Sequence, residues 1–460
     1  MDSYGILSLI PVICVIILVF ITKRTMASLV AGSVIGAVIL YGKNFFMEWI
    51  NAIYAVLGDG TWQWLFLVCG LFGSIIALFE ASGGALGFSR MSTRLCKSKK
   101  QALFMTWVQD LVVFADDWLN ALAVSSAMRN VTDKFRIPRE LLAYVICTTG
   151  PAICTLVPFS TWGVFMAGQL ESNGVAAAGE GFTTYLHTLP YVFYAIVSII
   201  AVPLYIIGVI PHFGRMKKAE LRAETTGYLL PEYVHDMVKA DREADAEAEE
   251  AEGGNKGKAI NFLIPLIALA VVTTITKEML YGIFTCFVVC AVMYFPQKLL
   301  TLQEFLNSMV SGFKDMLGVI GIISSAFILK EMNNALGLPA FVIGLVENAL
   351  DPRLLPAVAF IVVGLLCFAA GNFWGMLAIA FPVIIPIALS LDADLILVSG
   401  AMISGCVFGC CACFYGSEVS LVCDTTKVPN QEFARTALPL YVVPVGISLI
   451  LFLIFGFVQA

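Results

Sequence analysis

Long apolar runs separated by short polar loops dominate this chain. They occupy residues 5–22, 26–42, 62–83, 101–128, 140–168 and 188–210, then 259–276, 280–296, 315–337, 354–391, 395–415 and 438–459. Most approach or exceed the roughly 20 residues that a helix needs to span a bilayer. A transmembrane β-barrel would instead show strands of about ten residues with alternating character. The pattern therefore predicts an all-α polytopic membrane protein. Between the two sets lies the polar stretch 211–258, rich in Lys, Glu, Ala and Gly, which reads as a partly helical, partly disordered linker. Its acidic run, 241–252, reads as a solvated spacer. The first apolar run ends in Thr22-Lys23-Arg24 with no small-residue cleavage site, so a retained helix is expected there.

Basic residues fix the expected orientation, because loops rich in Lys and Arg stay in the cytoplasm. In the first half these are Lys23-Arg24 and the clusters within 90–100, 129–139 and 215–218, while 169–187 hold no Lys or Arg. All four basic loops share one side only if 101–128 enters and leaves on that side, as a re-entrant hairpin with its tip near 114–120. The second half folds the same way, with a hairpin over 354–391 entering from outside and its tip near 371–375. About ten transmembrane helices and two hairpins result. They fall into a first repeat (1–210), a cytoplasmic linker (211–258) and a second, inverted repeat (259–460), with both termini outside. The sequence itself repeats. Gly70, Ser74, Glu80 and Ala85-Leu86-Gly87 recur as Gly321, Ser325, Glu331 and Ala335-Leu336-Gly337; Phe114-Ala115 recurs as Phe368-Ala369, and Trp162-Gly163 is answered by Tyr415-Gly416, at offsets of 250 to 254 residues. Inverted repeats with interrupted helices are a signature of secondary transporters. No GxxxxGK[ST] motif is present to support a primary pump. A channel needs no such repeat.

Composition sharpens the picture. Hydrophobic residues make up 59% of the chain and charged residues only 13%, against about 45–50% and 25% in soluble domains. This excludes a soluble enzyme, a secreted disulfide scaffold and a nucleic-acid binder. The expected setting is the cell (inner or plasma) membrane, with the lipid bilayer as the constant partner. Most of the 13 Cys lie inside apolar runs and read as small packing residues, the cluster Cys410, Cys411 and Cys413 included, since no His lies near it. The three His (His187, His212, His235) fall outside the apolar segments, so no His proton relay is expected in the membrane.

The candidate chemistry centres on FADDWLN at 114–120. Asp116 and Asp117 are adjacent carboxylates at membrane depth, where an ionised side chain costs about 2.5–3.5 kcal/mol on translocon scales. Keeping two calls for a cation, a proton or a water-filled cavity; helix capping by one Asp is the plain alternative. Competition between Na⁺ and H⁺ at such a pair yields antiport, and Asn120 would add a neutral oxygen to a Na⁺ site formed with Asp116 and Asp117. Next come Thr148-Thr149-Gly150-Pro151 and Pro158-Phe159-Ser160-Thr161-Trp162-Gly163, where Pro and Gly interrupt one helix among hydroxyls. Irregular backbone at that depth must be buried or line a cavity; a packed Pro kink is the competing reading. Thr149, Ser160 and Thr161 join the expected cation ligands, together with Asp424. The expected solute-facing set is Trp162, Asn372, Trp374, Ser417, Glu418, Ser420, Thr425 and Thr426. Glu418 and Asp424 read as second-half partners of the acidic pair, or else as loop residues at the cytoplasmic face. Glu80 and Glu331 read as structural ion-pair members, and Asp110 as either part of a proton path or a water-facing residue.

Over 114–163 the chain resembles the NhaC family of Na⁺/H⁺ antiporters. Asp116, Asp117 and Asn120 match its acidic motif; Met128-Arg129, Val131-Thr132-Asp133-Lys134 and Arg139-Glu140 match the following loop; Ser160-Thr161-Trp162-Gly163 match its P-I-S-T-W-G element. The second half is similar but looser. Gly371-Asn372-Phe373-Trp374-Gly375 stands for G-T-S-W-G, Ser417-Glu418 for an Asp-His pair, and Leu421 for a Pro, ahead of Asp424-Thr425-Thr426. The resemblance implies two opposed hairpins in a mobile domain, an elevator-type transporter, a homodimer, and Na⁺ and H⁺ as transported or coupling ions with no cofactor. The reading taken is a Na⁺/H⁺ antiporter. The alternative is a Na⁺- or H⁺-coupled carrier or exchanger of a small organic solute, an amino acid or carboxylate, and the altered second-half motif favours it. A small oxygen-lined site between the hairpin tips would fit the first; a pocket of about 300 Å³ or more would fit the second.

Overall fold

The fold is a computed structural model that describes residues 4–22, 24–84, 87, 96–211, 213–234, 258–276, 278–338, 341, 351–370, 373–414 and 416–458. Among the described residues it is all-helical. The succession of elements in the first half recurs in the second. First come α1 (Ile10–Thr22), α2 (Thr25–Tyr41), α3 (Phe45–Leu57) and α4 (Gly60–Ala81). Then α5 (Lys99–Val112) and α6 (Asp117–Lys134) flank a break at 113–116, and α7 (Arg139–Leu156) and α8 (Thr161–Ser172) flank a break at 157–160. Short α9 (Gly181–Thr188) leads into α10 (Phe193–Ile207). After α11 (Gly214–Thr226) the series restarts with α12 (Ile260–Thr276), α13 (Met279–Tyr294), α14 (Leu302–Asp315) and α15 (Leu317–Ala335). It continues with α16 (Leu355–Ala370), α17 (Phe373–Ser390), α18 (Leu395–Ala412), α19 (Ser417–Thr426), short α20 (Asn430–Ala437) and α21 (Val442–Val458).

Among the described residues, seven helices are long and apolar enough to cross a membrane, or up to nine if the bent pairs Arg139–Leu156 with Thr161–Ser172 and Gly181–Tyr191 with Phe193–Ile207 each count once. Shorter apolar helices start at Gly5, Ile260 and Met279. Among the described residues, every apolar run read from the sequence is mostly helical, with breaks at 113–116 and 157–160. The run 101–128 is interrupted by Asp110, Asp116, Asp117 and Asn120 and holds no helix long and apolar enough to cross a membrane among the described residues. Apart from α11 in the linker, four of the described helices lie outside the apolar runs: short α9 and α20, and the longer α3 and α14. α3 and α14 each carry a sharply one-sided apolar face among polar residues, which leaves no uninterrupted run.

Local chemistry sets the ends. Asp59 caps α4 by accepting from the Trp62 N–H at 2.8 Å, and Asp394 caps α18 by accepting from Ile396 and Leu397. Thr301 and Glu304 form a capping box at α14. At the α4–α14 crossing the backbones touch. A Cβ on Gly73 would lie 2.4 Å from the Gly312 carbonyl oxygen, and one on Gly312 would lie 2.2 Å from that of Gly73. Only glycine permits this approach, and Ser74 Oγ adds a 2.7 Å bond to the Met309 carbonyl. The deepest element is α7, buried along nearly its whole length and packed by α5, α6, α10, α18 and α19.

Buried charge locks the far end of α19. Arg139 donates to both Asp133 oxygens at 3.1 and 2.8 Å and to the Thr426 carbonyl at 3.1 Å. Both side chains of that ion pair are excluded from solvent. Arg129 donates to the Thr425 carbonyl, and Arg222 pairs with buried Glu140 at 2.9 Å.

Candidate functional site

Among the described residues, the helices that begin at Asp117, Thr161, Phe373 and Ser417 converge. The first residues of α6 (Asp117), α8 (Thr161), α17 (Phe373) and α19 (Ser417) all line one cavity of about 1090 Å³. Its walls are mostly apolar, with Met26, Val30, Ile76 and Leu122 among them. Arg24, Glu80 and Asp315 also line it, as do both Asp116 and Asp117. Helix N-termini carry partial positive charge. The chamber therefore combines acidic side chains with the starts of α6, α8 and α19.

The two adjacent carboxylates have different environments. Asp116 is the N-cap of α6: Oδ1 accepts from the N–H groups of Trp118 and Leu119 at 3.0 and 3.1 Å. Its Oδ2 accepts from Thr161 Oγ1 at 3.0 Å, while the Thr161 N–H donates to the Ala115 carbonyl. The first two breaks are thereby tied together. Asp117 is buried and its Oδ2 has no hydrogen-bond partner. The Trp162 indole N–H faces Asp117 without closing a bond of normal geometry. Glu418, from the other half, meets Asp117 here. One ligand atom each from Asp117, Glu418 and Cys410 lie within 4.8 Å of one another, and Cys410 Sγ donates to Glu418 Oε2 at 2.8 Å.

Asn120 has two separate roles. Its amide nitrogen donates to the carbonyls of Asp110 and Val113 at 2.9 and 3.1 Å, satisfying the end of α5. Its Oδ1 is buried and unpartnered. That oxygen lies 3.0 Å from where a Cβ on Gly150 would stand, with Glu418 Oε1 3.8 Å from the same point. Gly150 thus leaves open a space between oxygens from opposite halves. Thr149 Oγ1 and both oxygens of Asp110 are also buried without partners, and Asp110 is near enough to Glu418 to feel its charge.

The remaining expected residues divide clearly. Trp162 stacks on Phe373 at 4.2 Å between centroids, and Trp374 sets its ring edge-on to Phe165 at 4.7 Å, so an aromatic wall joins α8 to α17. Ser417 is exposed to the cavity. Ser160 caps α8, accepting from the Gly163 N–H at 3.0 Å and donating to the Cys154 carbonyl, and is occupied by those bonds. Ser420 accepts from Asn430, Thr425 bonds Ser125 and its own helix, and Thr426 bonds its own helix, so these three position α19. Asp424 is exposed and is not brought to the cluster. Asn372 lies outside the described residues. Cys410 was read from the sequence as packing. Its link to Glu418 joins two helices, one ending at Ala412 and one starting at Ser417, where spacing along one helix carries no signal.

Oxygens gather at the helix breaks before an open chamber, and the comparisons with known proteins bear on what such a site does. Residues 256–457 match the Na⁺/H⁺ antiporter family. That match lies in the half opposite to 114–163 and bears out the resemblance read there. The apolar helices make it a multi-pass membrane protein, and the family match points to a transporter. An uncharacterized protein of Haemophilus influenzae is 24% identical over 482 residues, covering 95% of this chain and 88% of the relative. A solved structure of Neisseria gonorrhoeae MtrF, described as illuminating a class of antimetabolite efflux pumps, matches 90% of this chain and 84% of its own at 14% identity and a TM-score of 0.53. That likeness shows the fold.

Proposed function

We propose that this secondary transporter exchanges H⁺ or Na⁺ for a small organic solute bearing a carboxylate. The cavity of about 1090 Å³ carries this reading. A bare-cation site needs only a few oxygens, whereas pockets for small molecules run to roughly 300–1,000 Å³. The coupling cation sits behind the chamber at Asp117, Glu418 and the free oxygens of Asn120 and Thr149. Asp116 holds the geometry of the pair through its cap and its bond to Thr161. The solute lies in front, its apolar part on Trp374 and Phe373 and its carboxylate at the helix N-terminus that begins with Ser417. The recurring order of elements supports two repeats of opposite topology, with 101–128 and 354–391 as re-entrant hairpins in a mobile elevator domain. In this arrangement both termini lie outside, the linker 211–258 is cytoplasmic and the working unit is a homodimer.

The family match favours a second reading, Na⁺/H⁺ exchange alone, with the chamber as a water-filled vestibule. Proteoliposomes with a trapped pH dye separate the two. A panel of amino acids and small carboxylates is offered outside, with and without Na⁺. Solute-dependent proton or Na⁺ movement that requires Asp117 and Glu418 is the expected result. Full-rate Na⁺-driven proton exit with no solute present, and no uptake of any solute in the panel, would replace the proposal with simple antiport.

A further inference from the structure

We infer that Cys410, Asp117 and Glu418 form a site for a thiophilic divalent cation of the zinc and cadmium class, and that its occupation blocks transport. Three independent observations meet here. The ligand atoms of the three side chains lie within 4.8 Å of one another and all three residues are buried. Asp117 Oδ2 has no partner, so the cluster holds an unused acceptor as well as the Cys410–Glu418 contact at 2.8 Å. Beside it lies a separate cavity of about 10 Å³, the volume of about one water molecule. Cys367, Cys410, Cys413 and Glu418 line that small cavity with Gly416, Phe373 and Ser417, and the last two also line the large chamber. An ion entering from the chamber therefore reaches thiols and a carboxylate within one step.

The donor set selects the ion. Carboxylate and amide oxygens alone suit Na⁺, Mg²⁺ or Ca²⁺, whereas a thiolate favours zinc and related softer ions. Zinc binds Cys sulfur at about 2.3 Å and carboxylate oxygen at about 2.0–2.2 Å. Three atoms already within 4.8 Å reach that geometry by small side-chain rotations, and the larger cadmium ion needs less movement. Binding displaces the Cys410 thiol proton, and any proton held on the carboxylates, to solvent. Two protein carboxylates and one thiolate leave a fourth position for water from the chamber. The site shares Asp117 and Glu418 with the proposed coupling site, so the metal and the coupling cation exclude each other. The block on transport rests on that reading; the binding does not.

The test is equilibrium binding of radioactive Cd²⁺ to the purified full chain in detergent with a non-thiol reductant. One Cd²⁺ per chain is expected, with the ultraviolet charge-transfer band of a cadmium–thiolate bond. Cys410→Ser should abolish the band and weaken binding about tenfold or more. Glu418→Gln should weaken binding by a similar factor, and Cys411→Ser, a buried neighbour outside the cluster, should keep both signals. Excess Mg²⁺ or Ca²⁺ should not displace the ion. Absence of stoichiometric binding to folded protein, or binding and a band that survive Cys410→Ser, overturns the site. Should Cys410→Ser fail to fold, Glu418→Gln decides. Cd²⁺ bound at one per chain with transport unimpaired would overturn the block while leaving the site.

Discussion

Replacing Gly150 by alanine inserts one carbon into the space between Asn120 and Glu418. The new Cβ would stand 3.0 Å from Asn120 Oδ1 and 3.8 Å from Glu418 Oε1. Asn120 cannot simply swing away, because its amide nitrogen is held by two carbonyls at 2.9 and 3.1 Å. Yielding a few tenths of an ångström weakens one of those bonds, each worth about 0.5–1.5 kcal/mol net. Alanine is favoured over glycine inside a helix by about 1 kcal/mol. The two effects nearly cancel, so thermal unfolding in detergent should move little. Coupling should suffer far more, because the carbon occupies the place where a cation would meet oxygens of both halves. A tenfold rise in the half-saturating cation concentration corresponds to about 1.4 kcal/mol, and at least that is expected in the proteoliposome flux assay. Gly446→Ala serves as the control, since no atom lies within 4 Å of a Cβ there and only the helix gain should appear. Wild-type cation dependence in a well-folded Gly150→Ala protein would refute the reasoning.

Other expectations follow from the same geometry. Asp117→Asn and Glu418→Gln should each abolish coupled flux while leaving the unfolding temperature near wild type, because neither caps a helix or holds an ion pair; full activity in either would remove it from the coupling site. At Asp116 the cap and the charge can be separated: Asp116→Asn keeps a good N-cap, whereas Asp116→Ala should lose about 0.5–2 kcal/mol, read as a drop in unfolding temperature for alanine alone. Arg139→Ala strands buried Asp133, so a loss of about 3–5 kcal/mol is expected, visible as poor recovery of folded protein, and Arg139→Ala with Asp133→Ala together should cost less than Arg139→Ala alone. Trp374→Ala should raise the half-saturating solute concentration without changing the cation dependence; a change in both together would place Trp374 at the coupling site instead.

The sequence revealed the helices and the breaks more readily than the contacts across them. Apolar length alone located the spanning segments, since a bilayer demands it, and Pro158, Gly416 and the Asp pair marked three interruptions. The one-sided helices at 45–57 and 302–315 escaped notice because their apolar residues are spaced rather than continuous. At the site, a buried acidic pair was legible from its improbability in an apolar run. Its division of labour was not. Asp116 as a cap and Asp117 as a free acceptor differ only in which backbone N–H groups lie in reach. The cluster of Asp117, Cys410 and Glu418 joins residues almost 300 positions apart. No local spacing rule reaches across that distance.

Asn120 also limits how such a transporter can change. Its nitrogen closes the end of one helix while its oxygen faces the open space beside Gly150. Aspartate would add a charge but discard both donors; glutamine would misplace them. The position is therefore closed to drift, and a lineage adjusting its ion preference would have to do so at 110, 117 or 418, where a carboxylate can gain or lose its charge without loosening the joint between α5 and α6.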